Sequence, residues 1–179
     1  MRRVYVVRHG ETQWNREGRY QGQRESELSE LGRRQADALA VDLSSSDAGR
    51  VVASPLARCT QTAAAIARAL HLRVQTDPRL IEIAHGTWEG RLRSEIERDE
   101  PQRMREWRED PQLVRFEGGE SLGDVDTRWR RFAASLPGDT NAIVVTHDVV
   151  VRLAILNAMR APLADLWKPR VENGGYALF

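Results

Sequence analysis

Val4-Tyr5-Val6-Val7-Arg8-His9-Gly10-Glu11-Thr12 joins a short apolar run to a cationic tip hinged at a glycine. A β-branched and aromatic run of this length reads as a buried strand. At the carboxyl edge of an α/β sheet, such a tip faces the crevice where ligands bind. It presents a histidine beside an arginine there, a pairing suited to phosphate. With the first strand placed at 3–7, further strand-like runs occur at 50–54, 72–76, 142–146 and 176–179. Helical patterns lie between them, at about 29–43, after Pro55, at about 122–134 and at about 149–159. The first is expected to bury Leu31, Ala38, Leu39 and Leu43, with Ser29 as N-cap. The second carries Cys59, Ala63, Ile66, Ala67 and Leu70 on one face. Strands alternating with helices predict an α/β layered domain with a largely parallel sheet.

The chain of 179 residues fits one domain, 1–179, with a substantial core. Its 27 basic and 26 acidic residues leave a net charge of +1. That balance gives no whole-protein field toward nucleic acid or membrane, so neither is an expected partner. Anion recognition must be local. Cys59 is the single cysteine, which excludes an intrachain disulfide and argues against a cysteine-based zinc site. No apolar stretch approaches the length of a membrane-spanning helix, and the N-terminus lacks a signal-peptide layout. The expected location is cytoplasmic. The stretch 91–119 is dense in Arg and Glu, contains Pro101 and Pro111, and has few aliphatic residues. It reads as a solvated helical excursion, or as a lid over the crevice.

Four segments carry chemistry. A neutral imidazole at His9 can attack phosphorus and form a phosphohistidine, splitting one hard displacement into two. Arg8 can reach the same phosphate only if the strand has already ended, and Gly10 permits that break. Arg58 falls in the first turn of the helix after Pro55, where free N–H groups and the dipole attract anions. Its planar fork adds donors matched to phosphate. Glu82 lies among apolar neighbours that raise a carboxyl pKa and keep it a proton donor. Glu89 is a rival carboxylate that the residues alone do not separate from it. His147 follows the strand 142–146 and repeats the layout of the first tip. The two histidines meet if those strands are neighbours, and His147 would then donate to phosphate oxygens. His71 reads as an exposed helix-end residue, and His85 as a candidate pocket wall.

In order along the chain, these segments resemble the histidine phosphatase superfamily, also called the phosphoglycerate mutase-like family. The resemblance is carried by Arg8-His9-Gly10-Glu11-Thr12 with Trp14-Asn15, by Ser54-Pro55-Leu56-Ala57-Arg58 with Gln61-Thr62-Ala63, and by Glu82 with Gly86 and Trp88-Glu89-Gly90. It continues through Gly118-Gly119-Glu120-Ser121-Leu122 to Thr146-His147 with Arg152. It implies a three-layer α/β/α sandwich, no metal and no organic cofactor. It makes His9 the phosphorylated nucleophile, Arg8, Arg58 and His147 the rest of the phosphate pocket, and Glu82, four before Gly86, the proton donor. Asn15 is implied as a phosphate ligand, and Gln21 and Gly22 as pocket-lining positions. Two departures stand out. Asp148 occupies a position more often held by glycine, where it must point away, pair with an arginine, tune His147 or touch the substrate. Related domains also usually continue into another strand beyond the position of Phe179.

The expected activity is hydrolysis of a small phosphorylated metabolite. The alternatives are a phosphoglycerate mutase, in which water is excluded, and a non-catalytic phosphate-binding module. The short excursion before Gly118 favours hydrolysis because a smaller cover admits water. Its arginines suit an acidic substrate. The residue pattern leaves the oligomeric state open, with a homodimer as the working expectation.

Overall fold

The computed structural model describes residues 2–179. Its elements run β1 (Val4–Arg8), α1 (Gln13–Glu17), α2 (Glu30–Asp42), β2 (Arg50–Ala53), α3 (Ala57–Ala69), β3 (Val74–Thr76), α4 (Arg93–Asp99) and α5 (Pro101–Glu109). They end with α6 (Leu122–Ser135), β4 (Ala142–Thr146), α7 (Asp148–Met159) and β5 (Tyr176–Leu178). The sheet order is β3-β2-β4-β1-β5. The first four strands are parallel, and β5 pairs antiparallel with β1.

Alternation along the strands builds the three layers. Tyr5 and Val7 of β1, with Ile143 and Val145 of β4, pack against Leu39, Leu43, Ala63 and Ile66 of the α2–α3 side. Val4 and Val6, with Ala142 and Val144, face the opposite way, toward Val125, Trp129 and Phe132 of α6 and Val150, Leu153 and Ala154 of α7. Val6, Val7, Val144 and Val145 are fully buried. Each contributes roughly 1.5–3 kcal/mol, and a one-residue slip would send each to the wrong face. The register is thereby fixed with Arg8 opposite Thr146. His9 and His147 consequently leave neighbouring strands side by side, and the His9 N–H donates to the Thr146 carbonyl at 3.0 Å.

Two expectations change. In α2 the buried positions are Gly32, Ala36, Leu39 and Ala40, with Leu43 beyond its end, whereas Leu31 is 42% exposed and Ala38 faces solvent. The helix is turned by a backbone contact: a Cβ on Gly10 would stand 2.3 Å from the Gly32 carbonyl oxygen. Ser29 caps the helix as expected, accepting from the Gly32 N–H at 3.0 Å. The stretch 91–119 forms α4 and α5, and it is not merely a solvated excursion. Ile96, Met104, Trp107, Val114 and Phe116 are buried in the core, with Trp107 and Phe116 edge-on at 5.0 Å. No helix among the described residues is long and apolar enough to cross a membrane.

Candidate active site

A cleft of about 500 Å³ opens at the carboxyl ends of β1 and β4. Arg8, His9, Arg58, Glu82 and Asp148 line its inner part, with Asn15, Gln21 and Gly22 on one wall.

His9 is 3% exposed, and its Nδ1 lies 2.7 Å from the Gly10 carbonyl oxygen. A carbonyl only accepts, so Nδ1 carries the proton and Nε2 keeps the lone pair. Burial, then the charges of Arg58 and Arg8, hold the imidazole pKa well below its ordinary value, against the opposing pull of the Gly10 carbonyl. The ring is therefore neutral at physiological pH. The Gly10 N–H is anchored in turn on Thr62 Oγ1 at 3.1 Å.

Arg58 is 1% exposed. It donates from Nη1 to the Arg24 carbonyl at 2.8 Å, from Nη2 to the Gly22 carbonyl at 2.7 Å and from Nε to His147 Nδ1 at 3.3 Å. These contacts engage three of its five N–H groups, and the Glu25 carboxylate lies 3.9 Å from Nη1. The Gly22 position does not accept a side chain: its φ is +53° and a Cβ would collide with the Glu89 carboxylate. Gly22 serves the site through its carbonyl.

His147 is brought to the site in an unexpected posture. It is fully buried and lies behind the cleft wall, with its ring centroid 5.2 Å from that of His9. Because arginine only donates, His147 Nδ1 is the acceptor, and Nε2 gives its proton to Ser54 Oγ at 2.8 Å. Burial, then the charge of Arg58, lowers its pKa well below the usual value, so that single proton is the one available. In this arrangement His147 touches the cleft-lining Arg58 and does not itself line the cleft. Cys59 completes the buried cluster, with Sγ 3.4 Å from His147 Nε2, and burial pushes its thiol pKa far up.

Glu82 is 7% exposed, and its Oε1 accepts from the Ile83 N–H at 3.0 Å. Burial, followed by the negative charge of Asp148, raises its pKa to about 7, against the Ile83 N–H, Arg58 and Arg128. Glu89, the rival, has different work: its Oε1 accepts the N–H groups of Gln23 at 3.1 Å and His85 at 3.0 Å. The structure thus separates the two carboxylates that the residues alone did not.

Asp148 is the first residue of α7, where an anion suits the helix dipole. Its Oδ1 sits 3.2 Å from Arg8 Nη1 and 3.1 Å from Arg152 Nε. Of the outcomes open to Asp148, the structure shows pairing with arginine, and the pairing orients Arg8, whose Nη1 also donates to the Val171 carbonyl at 2.7 Å. Asn15 spends its carbonyl oxygen on the Thr12 N–H at 3.0 Å and Asn173 Nδ2 at 3.2 Å, leaving its NH₂ group for a ligand.

The outer cleft is built by Tyr20, His85, Trp107 and Trp167 with Arg19, Arg93 and Arg108. Burial drives the His85 pKa down to about 3, so this ring is neutral as well. Arg93 and Arg108 both pair with the single carboxylate of Glu97, which leaves an excess of positive charge. His71 lies at an exposed helix end, away from the cleft. Tyr20, Trp167, Ser54 as a partner of His147, and Arg128 also belong to the site or its support. None of these carries a local signal, because each acts through a contact distant in the chain.

The family pattern of the histidine phosphatase superfamily, branch 1, matches residues 4–179. The chain is 37% identical to Phosphoserine phosphatase 1 of Hydrogenobacter thermophilus, over 99% of this chain and 86% of that protein. It is 33% identical to a Yersinia pestis protein named "Probable phosphoglycerate mutase GpmB", over 97% and 82% of the two chains. The solved structure of a mycobacterial glucosyl-3-phosphoglycerate phosphatase in complex with VO3 superposes with a TM-score of 0.91 at 32% identity, covering 99% of this chain and 90% of that one. On a match that spans nearly its whole length, the chain belongs to branch 1 of the histidine phosphatase superfamily, and its reaction class is phosphomonoester hydrolysis.

Proposed function

We propose that His9 is the nucleophile and Glu82 the proton donor in hydrolysis of a small phosphomonoester with an acidic alcohol part. The observation that carries this reading is the fixed tautomer of His9, with its Nε2 lone pair bordering a cleft shared with Arg58 and Glu82. Phosphate enters between Arg8 and Arg58. Nε2 attacks phosphorus, the P–N bond forms and the P–O ester bond breaks, while Glu82 gives its proton to the leaving oxygen. The Glu82 carboxylate then takes a proton from water as that water's oxygen attacks phosphorus, and the P–N bond breaks. Phosphate departs with Glu82 protonated again. The cations are in place before charge develops, the arrangement that phosphoryl transfer depends on. Asn15 and Gln21 border the transferred group, and Asp148 holds Arg8.

Hydrolysis is favoured over isomerisation because Arg93 of α4 and Trp107 and Arg108 of α5 border the cleft without closing it off from water. Incubation with 3-phosphoglycerate, with and without 2,3-bisphosphoglycerate, tests this. Phosphate release is expected to exceed isomerisation; the reverse would assign a mutase.

The acidic preference rests on Arg93 and Arg108 sharing Glu97, and it accords with relatives named for phosphoserine and glucosyl-3-phosphoglycerate, both carboxylates. Hydrogen bonds to charged groups contribute roughly 1.5–3 kcal/mol, so replacing both arginines by methionine should raise KM for O-phosphoserine about tenfold or more. KM for 4-nitrophenyl phosphate, which has no carboxylate, should change little. Equal shifts for both esters would remove the carboxylate contact.

A further inference from the structure

Arg128 sits on α6, outside the phosphate cradle, yet its guanidinium is spent on the segment that carries Glu82. Nη1 donates to the carbonyls of Arg79, at 2.9 Å, and Ile81, and Nη2 to the carbonyl of Glu82 itself at 3.0 Å. Nε and Nη2 also reach the two oxygens of Glu120, each at 3.1 Å. Glu120 extends the grip, since its Oε2 accepts the Ala84 N–H at 2.9 Å. The pair is largely shielded, with side-chain exposures of 15% and 24%. Residues 81–85 belong to no helix or strand, so no ladder holds them. Backbone groups in such a segment need partners from elsewhere. A rigid, many-pronged guanidinium supplies several at once, which a lysine ammonium does not.

We propose that Arg128 is a positioning residue for the proton donor: with Glu120 it clamps the backbone on both sides of Glu82 and aims that carboxyl at the leaving oxygen. The inference rests on the role given to Glu82 above. The charged groups that bear on Glu82 are Asp148 at the start of α7, Arg58 on α3 and Arg128 on α6, with the buried Cys59 and His147 beside Arg58. Removing Arg128 therefore loosens the carboxyl and also deprives its ionised form of a stabilising cation.

The test compares Arg128→Gln, Arg128→Lys and Glu120→Gln on O-phosphoserine, a poor leaving group, and 4-nitrophenyl phosphate, a good one. Each is measured against pH, with and without Glu82→Gln. Misplacement of a catalytic group costs up to about 100-fold, so Arg128→Gln should slow the alkyl ester by roughly 10- to 100-fold and the aryl ester far less. Its basic limb should move to higher pH, while inhibition by vanadate stays unchanged. Arg128→Lys should restore the limb but not the rate. Added to Glu82→Gln, the Arg128 change should cost little more, because residues acting as one unit are not additive. If Arg128→Gln does not fold, Glu120→Gln reads the same clamp through its selective loss on the alkyl ester. Equal losses on both esters, additivity with Glu82→Gln, or an unmoved limb would each overturn the clamp. A Glu82→Gln enzyme of undiminished alkyl-ester activity would instead sink the role of Glu82, and the clamp with it. A slow Glu82→Gln beside a fully active Arg128→Gln would sink the clamp alone.

Discussion

With His9 as the proposed nucleophile, His9→Ala is expected to lower turnover of every phosphomonoester by at least on the order of 10⁴-fold, because among the described residues no other group is placed to take the phosphoryl group. His147 does not substitute for it. That ring is fully buried, its Nδ1 accepts from Arg58 and its proton is committed to Ser54. Phosphate binding should survive, since Arg8 and Arg58 are untouched. Two measurements check this: steady-state phosphate release, and rapid-quench trapping of an acid-labile, base-stable phosphoprotein. Wild type should give the trapped species and His9→Ala none. Turnover within about tenfold of wild type would remove His9 as nucleophile.

The second large effect falls on Glu82. General acid catalysis contributes roughly 10²- to 10⁴-fold, so Glu82→Gln should lose that factor on alkyl phosphates. A 4-nitrophenyl leaving group needs less protonation and should lose much less. The pH dependence has a definite sign. In its proposed role Glu82 must be protonated to donate, and its pKa is raised to about 7, chiefly by burial and then by Asp148. Hence kcat/KM should fall as pH rises through about 7. Asp148→Asn takes away the repulsive charge, lowers the Glu82 pKa and moves this limb to lower pH, opposite to the shift expected for Arg128→Gln. Using one ester for all variants cancels the ionisation of the substrate phosphate. An Asp148→Asn limb that moves upward would show that Asp148 does not act on Glu82 through its charge.

Much of the site is legible locally. The tip at Arg8-His9-Gly10, the Arg58 helix start and the His147 tip each pair a strand end with a turn or helix start, features that short windows reveal. What lies between is less legible. Leu31 and Ala38 look like core positions by spacing, yet they face out because the backbone of Gly10 docks on Gly32 and sets the rotation of α2. The stretch 91–119 looks polar on average. Its few apolar residues nevertheless converge on one aromatic cluster, where Phe116 meets Trp88 at 5.1 Å and Trp107 at 5.0 Å. An average over a window hides such convergence.

Sequence by itself determined which residue types stand at which strand ends, and hence the chemistry on offer: two imidazoles, two guanidiniums and a carboxyl. Tertiary structure decided their arrangement. It inserted β4 between β2 and β1, with Thr146 opposite Arg8, and so brought together histidines 138 residues apart. It also gave Glu89 to the backbone and left Glu82 buried beside Asp148. The physical reason is the same in both cases: hydrogen-bond partners and burial are properties of space, and local sequence fixes only what each segment brings to it.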